Sequence, residues 1–266
     1  MNCDIIIPVW NQMQLTKECI DSIIRHTFSP YRLIVIDNGS QRQTKEYLEE
    51  LTRNNNILIT IIRNETNLGY IKAVNQGLQI SYGDYVCLLN NDTKVGEGWV
   101  KELINVAQSN PEIGIVTPRN ANANRKGKEL KGKWIEISFA TSFCILIKRK
   151  EIQKIGLLDE AYGIGFWEDT DYCQRAKNTG YFCALAKSAY VYHYAHKTFD
   201  YIYHGYISIV REIGHIQCTG IRTKTACTIA RPDSPACCCY TSFNRTVGIG
   251  GANINILSCI RCRRVG

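Results

Sequence analysis

The chain has 266 residues, 45% hydrophobic and 21% charged, enough for one sizeable globular domain with an α/β core. Its net charge of +8 is uneven: residues 1–215 hold 25 basic and 23 acidic side chains, whereas residues 216–266 hold 7 basic ones and one acid, Asp233. That near balance in the first part removes any general argument for nucleic acid, and its six scattered cysteines do not make a disulfide framework. With no basic leader before the first apolar run, and no run as long as a membrane span, a reduced, cytoplasmic protein is expected.

Four short apolar, β-branched runs recur in the first half, at 4–9, 32–36, 57–62 and 84–89, as strands buried on both faces require. Amphipathic segments at 15–26, 41–53 and 69–80 separate them, each with one apolar stripe. This alternation implies right-handed βαβ units and a mostly parallel central sheet flanked by helices. A helix over 97–108 and a strand near 113–117 follow. Residues 119–133, rich in Asn, Lys and Gly, read as a mobile surface loop. A long apolar segment covers 135–147. A short helix then ends at Gly156, another spans about 169–179 before Gly180, and a last strand occupies about 182–192.

From residue 216 neither helix nor strand period is visible, and seven cysteines crowd into the last 51 residues. We divide the chain into a domain over 1–215 and an atypical basic, Cys-rich tail over 216–266. Three readings of the tail stand open: a zinc site built from Cys259, Cys262 and Cys237 to Cys239, a disordered basic tail, or a shift of reading frame after about His215. The last accounts best for the abrupt change, and resequencing the coding DNA tests it.

In open α/β sheets, ligands bind beyond the carboxyl ends of the strands. The first four strands end in Pro8-Val9-Trp10-Asn11, Asp37-Asn38-Gly39-Ser40, Asn64-Glu65-Thr66-Asn67-Leu68-Gly69-Tyr70 and Asn90-Asn91-Asp92. Asp37 suits a base N–H or a ribose hydroxyl, or equally an Asx-turn. Asn67 and Gly69 precede a helix whose first amides, with Lys72, can face phosphate; a plain Asn cap is the alternative. Asp92 with amide oxygens beside it suits a hard divalent cation that shares phosphate oxygens, or else a polar turn. Further on, Trp167-Glu168-Asp169-Thr170-Asp171 sets three acids at a helix start next to aromatics fit to stack on sugar; acids there also favour the helix dipole. His193 and His196 follow the last strand as a metal ligand or as structural histidines. Neither a phosphate-binding G-x-x-x-x-G-K-[ST] loop nor a G-x-G-x-x-G turn is present.

In order and spacing over about 3–200, these segments resemble family 2 glycosyltransferases of the GT-A fold, especially rhamnosyltransferase-like and galactofuranosyltransferase-like members. The resemblance implies a nucleotide-diphospho-sugar transferase fold and an inverting transfer of sugar to an acceptor hydroxyl. It implies a Mg2+ or Mn2+ cofactor and a setting in cell-surface polysaccharide or lipopolysaccharide assembly. Asp37 would bind the base; Pro8, Asn11, Gly69, Lys72 and Asn75 would line the nucleotide pocket. Asn90 and Asp92 occupy the metal-binding D-x-D position, Asp92 as the coordinating acid, and His193 completes the site. Asn90 and Asn91 depart from D-x-D and leave one formal charge there. Asp169 matches the general base, with Trp167 and Glu168 on the acceptor and sugar side. The implied partners are a nucleoside-diphosphate sugar and a glycan or lipid-linked glycan, with peripheral membrane association and no nucleic acid. Two other readings remain: a nucleotidyltransferase, which would carry a Gly-rich basic loop where Val9-Trp10-Asn11-Gln12 stands, and a glycosyltransferase-like binding protein without turnover.

Overall fold

The computed structural model describes residues 2–53, 57–121, 132–163 and 167–194, and the backbone of 243–249 and 252–258. The β-branched runs become β1 (Cys3–Val9), β2 (Tyr31–Asn38), β3 (Ile59–Asn64) and β4 (Tyr85–Leu89). Between them lie α1 (Met13–His26), α2 (Arg42–Thr52) and α3 (Tyr70–Ile80). Then come β5 (Thr93–Val95), α4 (Trp99–Ser109), β6 (Ile113–Asn120), β7 (Trp134–Ile137) and β8 (Cys144–Lys148). The domain continues with α5 (Arg149–Ile155), α6 (Glu168–Asn178) and β9 (Phe182–His193).

These nine strands form one sheet in the order β3-β2-β1-β4-β8-β6-β9-β5, with β7 paired to β9. Strands β3, β2, β1 and β4 are parallel neighbours. Strand β8 runs against β4 and β6, so β6 and its parallel neighbour β9 share the direction of the first four. The carboxyl ends of β1 to β4 and β9 therefore lie along one edge, together with the amino end of β8. That edge carries the polar segments.

Alternation along β1 splits the core by faces, because successive strand side chains point to opposite sides. Cys3, Ile5, Ile7 and Val9 pack with Cys19 and Ile23 of α1, Leu48 of α2 and Trp99 of α4. Ile6 joins Ile34 and Ile36 of β2, Val74 of α3, Ile152 of α5 and Tyr172 of α6 on the other face. The result is three layers with three helices on each side. Each fully buried isoleucine contributes roughly 2 kcal/mol. Helix α3 lies so close to the sheet that a Cβ on Gly77 would stand 2.5 Å from Ile6 Cγ2.

Three elements differ from the sequence expectation. The apolar segment 135–147 is two strands, β7 on β9 and β8 between β4 and β6, divided by residues 138–143. The three-residue β5 was not anticipated: it is too short for any period, and its pairing with β9 and a bond from Val95 N to Ser22 Oγ (3.1 Å) form it. The strand near 113–117 continues to Asn120 as β6, paired with β9 past a register shift at Pro118/Arg119. The loop over 119–133 lies mostly outside the described residues.

Contacts divide the chain into Met1–His204 and Gly205–Gly266, ten residues or so before the boundary drawn from composition. Within the second unit, β10 (Phe243–Ile249) and β11 (Ala252–Ser258) pair antiparallel, although no strand period was read there. The overlooked signal is Gly250-Gly251, a two-residue connection suited to a tight hairpin, followed by the alternation Asn253-Ile254-Asn255-Ile256. Cys237, Cys238, Cys239, Cys259 and Cys262, on which a zinc site would depend, lie outside the described residues. All six cysteines of the first unit are buried and free. No helix among the described residues is long and apolar enough to cross a membrane.

Candidate functional site

The loops after β1 and β2 are laced together. Asn11 N donates to Ser40 Oγ at 2.8 Å, and Gln41 N donates to Asn11 Oδ1 at 2.7 Å. Asn11 and Gln12 both hold left-handed backbone, with φ of 56° and 55°, a conformation few side chains adopt. Pro8, half-buried in β1, sits opposite Ile36. Asp37 is buried at the end of β2. Its Oδ1 accepts from Ser40 N at 2.9 Å, which is the Asx-turn, and its Oδ2 pairs with the Arg63 guanidinium. Arg63 also donates to Ser40 O at 3.0 Å. Arg63 therefore reaches the candidate base-binding carboxylate, which sequence reasoning missed; its position beside the polar end of β3 was the available signal. Gly39 is required here: its φ is +76°, and a Cβ would stand 2.7 Å from the Thr66 backbone.

A net of amides shapes the segment after β3. Asn38 Nδ2 donates to Asn67 Oδ1 at 2.7 Å, and Asn64 and Gln76 bond reciprocally at 2.9 Å. The N–H groups of Leu68 and Gly69 are taken up by Asn38 Oδ1 and Asn67 Oδ1. The loop amides before α3 are thus spent internally, Gly69 caps the helix without a side-chain bond, and Lys72 in the first turn is exposed. The Asn75 amide donates to Leu158 O (3.0 Å) and Glu160 Oε1 (3.2 Å) and accepts from Leu158 N (3.0 Å), which holds the 158–160 segment against α3.

The turn after β4 and the end of β9 build the sharpest cluster. Strand pairing sets Thr93 opposite His193, and Tyr194 N donates to Asp92 O at 2.9 Å. His193 Nε2 then lies 3.1 Å from Asp92 Oδ1 and 3.5 Å from Asn90 Nδ2. Asp92 is 4% exposed. Asp92 Oδ1 and Asn90 Oδ1 are both buried and neither meets hydrogen-bond geometry with a neighbour, a costly state for polar oxygens. Asn91 turns away, its Nδ2 bonded to Thr16 Oγ1 at 2.9 Å. Among the described residues no three His, Cys, Asp or Glu side chains cluster as metal ligands, so any cation here would rest on Asp92, His193 and the amide oxygen of Asn90. A buried carboxylate oxygen 3.1 Å from an imidazole nitrogen, with an amide oxygen beside it that has no donor, is a set of atoms that fits such an ion. Outside this cluster, Tyr194 Oη donates to Glu18 Oε2 at 2.9 Å, and Lys94 beside Glu18 pulls that carboxyl down to about 2. The pairing ties the end of β9 to α1. His196 lies outside the described residues.

All three acids at the start of α6 have partners. Asp171 Oδ2 accepts from Arg175 Nε at 2.8 Å. Glu168 is 5% exposed and accepts from Ser142 Oγ at 3.1 Å. Asp169 is half-buried, with Oδ1 accepting from Thr170 N (2.7 Å) and Oδ2 from Ser142 N (3.4 Å). Trp167 is 71% exposed, with φ of 70°. Phe166 lies outside the described residues. The three described non-glycine residues with positive φ, Asn11, Gln12 and Trp167, all flank this edge.

Ser142 and Phe143, which sequence reasoning passed over, join the two clusters. Ser142 O accepts from Tyr70 Oη at 3.2 Å, and Phe143 O from Asn90 N at 2.9 Å. The Phe143 ring stacks on His193 with centroids 5.0 Å apart. Burial, and then the Glu168 charge, push the Tyr70 hydroxyl up, so it stays a donor. Asp92 and Asp169 are therefore linked through a single two-residue segment.

A parallel α/β sheet with polar loops at its carboxyl edge, completed by an antiparallel β8 and by β9, is the sheet of the GT-A fold. The chain belongs to glycosyl transferase family 2: residues 4–161 match the profile described as "Glycosyl transferase family 2". It is 32% identical over 115 residues to an uncharacterized glycosyltransferase of Haemophilus influenzae, covering 42% of this chain and 35% of that protein. Matches to the curated relatives span about a third of their length. In fold it is similar to the mannosyltransferase PcManGT from Pyrobaculum calidifontis, solved with GDP-Man and Mn2+ (TM-score 0.65, 16% identity, 84% of this chain and 65% of that one). It is also similar to GalNAc-T7, solved with UDP, GalNAc and Mn2+ (TM-score 0.63, 18% identity, 72% and 43%).

Proposed function

We propose that this chain transfers a sugar from a nucleoside-diphosphate sugar to an acceptor hydroxyl, with inversion at the anomeric carbon. The observation that carries the reading is the linkage of the Asn90–Asp92–His193 cluster to Asp169 through Ser142 and Phe143. Support comes also from the family and from the donors and Mn2+ held by the two similar structures.

Asp37, with Arg63 behind it, receives the base. Pro8, Asn11 and Gly69 line the nucleotide, and the first turn of α3 with Lys72 faces the diphosphate. Asp92, His193 and the Asn90 amide oxygen hold a Mg2+ or Mn2+ ion, which when bound offsets charge on the departing diphosphate. Trp167 offers its face to a sugar ring. Asp169 accepts the proton of the acceptor hydroxyl while its oxygen bonds to the anomeric carbon and the bond to the diphosphate breaks on the opposite side. One displacement inverts the configuration and needs no covalent enzyme nucleophile. The acceptor is a glycan or lipid-linked glycan of a cell-surface polysaccharide or lipopolysaccharide. Such an acceptor puts the enzyme in the cytoplasm, at the inner face of the membrane.

Thermal melting with UDP, GDP or dTDP, each with and without Mn2+ or Mg2+, tests the reading, since a ligand of the native state raises the melting temperature. A rise that needs both nucleotide and metal is expected. No shift with any pair at millimolar ligand would overturn it.

A further inference from the structure

We propose that Ser142 is a positioning residue, which holds the base Asp169 in register with the metal-facing turn; this rests on the transfer reaction proposed above. Four segments meet at Ser142 and its neighbour. Ser142 N donates to Asp169 Oδ2 (3.4 Å), Ser142 Oγ to Glu168 Oε1 (3.1 Å), and Tyr70 Oη to Ser142 O (3.2 Å). One residue on, Asn90 N donates to Phe143 O at 2.9 Å, and the Phe143 ring lies on His193. The starts of α3 and α6, the turn after β4 and the end of β9 are thereby referenced to one short stretch of backbone.

The hydroxyl is the part of this joint that substitution can remove. Glu168 is almost fully buried, so its Oε1 depends on a protein donor there. A buried carboxylate oxygen that loses its donor is penalised, and the side chain moves to find another. Glu168 and Asp169 are consecutive residues in the first turn of α6. Movement of one turns the other, and Asp169 then meets the acceptor hydroxyl off line. Displacements of about 1 Å cost on the order of a hundredfold in rate. The hydroxyl itself bonds to Glu168 and not to Pro8, Asn11, Asp37 or Gly69, the residues proposed above to line the nucleotide.

Two measurements on the full chain test this. The first is a thermal-melting cycle of Ser142→Ala, Glu168→Leu and the double variant, since Leu leaves no acceptor for the hydroxyl. The expected result is a double variant less destabilised than the sum of the singles, as contacting partners give. Additive shifts mean that no such bond exists and overturn the proposal. The second is steady-state transfer with a panel of UDP-, GDP- and dTDP-sugars. Ser142→Ala is expected to lower kcat at least about tenfold with donor KM within about twofold, and Ser142→Thr, which keeps the hydroxyl, to restore it. Equal losses in kcat and in donor affinity, no loss, or no rescue by Thr would each refute the positioning role. Lack of turnover by the wild-type chain on every donor would instead sink the transfer reading, and this role with it; the wild-type arm separates the two failures.

Discussion

His193 Nε2 stands 3.1 Å from Asp92 Oδ1, and the alignment of Thr93 with His193 across β5 and β9 holds the two side chains together. An acid after β4 and a histidine at the end of β9 are thus brought together, with Asn90 Nδ2 3.5 Å from the imidazole and Phe143 stacked on it.

Asp92→Ala is expected to abolish metal-dependent binding of a nucleoside diphosphate. Phe143→Leu, which touches no ligand but frees the imidazole, should weaken the metal about tenfold, as loss of an outer partner does. Calorimetric titration of Mn2+ with the nucleotide present measures both. An Asp92→Ala chain that still binds Mn2+ like the wild type would place the ion elsewhere.

Asp169→Asn should retain donor and metal binding and lose transfer, with kcat lower by about 10²–10⁴. Release of nucleoside diphosphate, followed with saturating donor and acceptor, reads this directly. Asp171→Asn makes the comparison: its partner is Arg175, so kcat should hold within about threefold. Equal losses in the two variants would remove Asp169 from the role of base.

Asp37→Ala should act on nucleotide affinity and on stability together. It deprives Ser40 N of its acceptor and Arg63 of its counter-ion, which costs about 1–3 kcal/mol. A fall in melting temperature without nucleotide, and a further loss of the shift produced by the nucleoside diphosphate, is the expected pair. An intact ligand-induced shift would leave Asp37 a purely structural residue.

Glu151 predicts a pH dependence that owes nothing to the site. It is fully buried, and neither carboxylate oxygen makes a hydrogen bond, with Lys148 Nζ 4.0 Å and Lys150 Nζ 3.8 Å away. Burial raises its pKa above the usual 4.5, and Lys148 and Lys150 oppose that. A carboxyl whose folded pKa is raised gives its stability below the unfolded value and loses it as pH rises through the folded one. Glu151→Gln should therefore melt higher than wild type at pH 7, with the gap closing toward pH 4. Melting curves over that range check it; a gap independent of pH would show that Lys148 and Lys150 cancel the burial.

The apolar runs that became β1, β2 and β4 were readable because strands buried on both faces leave uninterrupted Ile, Val and Leu; β3, at the sheet edge and only half-buried, still showed its Ile-rich run. Helices α1 to α4 were readable from their stripes. Asp37, Asn90, Asp92 and Asp169 could be picked out because each stands where an apolar strand stops or a helix starts. Local period carries that much, since it is written in neighbouring residues. It does not carry the uses of Asn75, Glu168 and Arg63, whose partners lie on other elements. Asn75 bonds to Leu158 and Glu160, and Glu168 is buried against Ser142, neither of which the local pattern indicates. Ser142 and Phe143 carried no mark at all within an apolar stretch.

The sequence by itself therefore determined the alternation of strands and helices from β1 to α4, apart from β5, and the polar character of one sheet edge, which follow from which side chains avoid water. Only the tertiary structure decided which polar groups are spent on one another and which stay open, and that β8 and β9 bring Ser142, Phe143 and His193 to Asp92 and Asp169. Those outcomes depend on pairing between strands far apart in the chain, which no local pattern encodes.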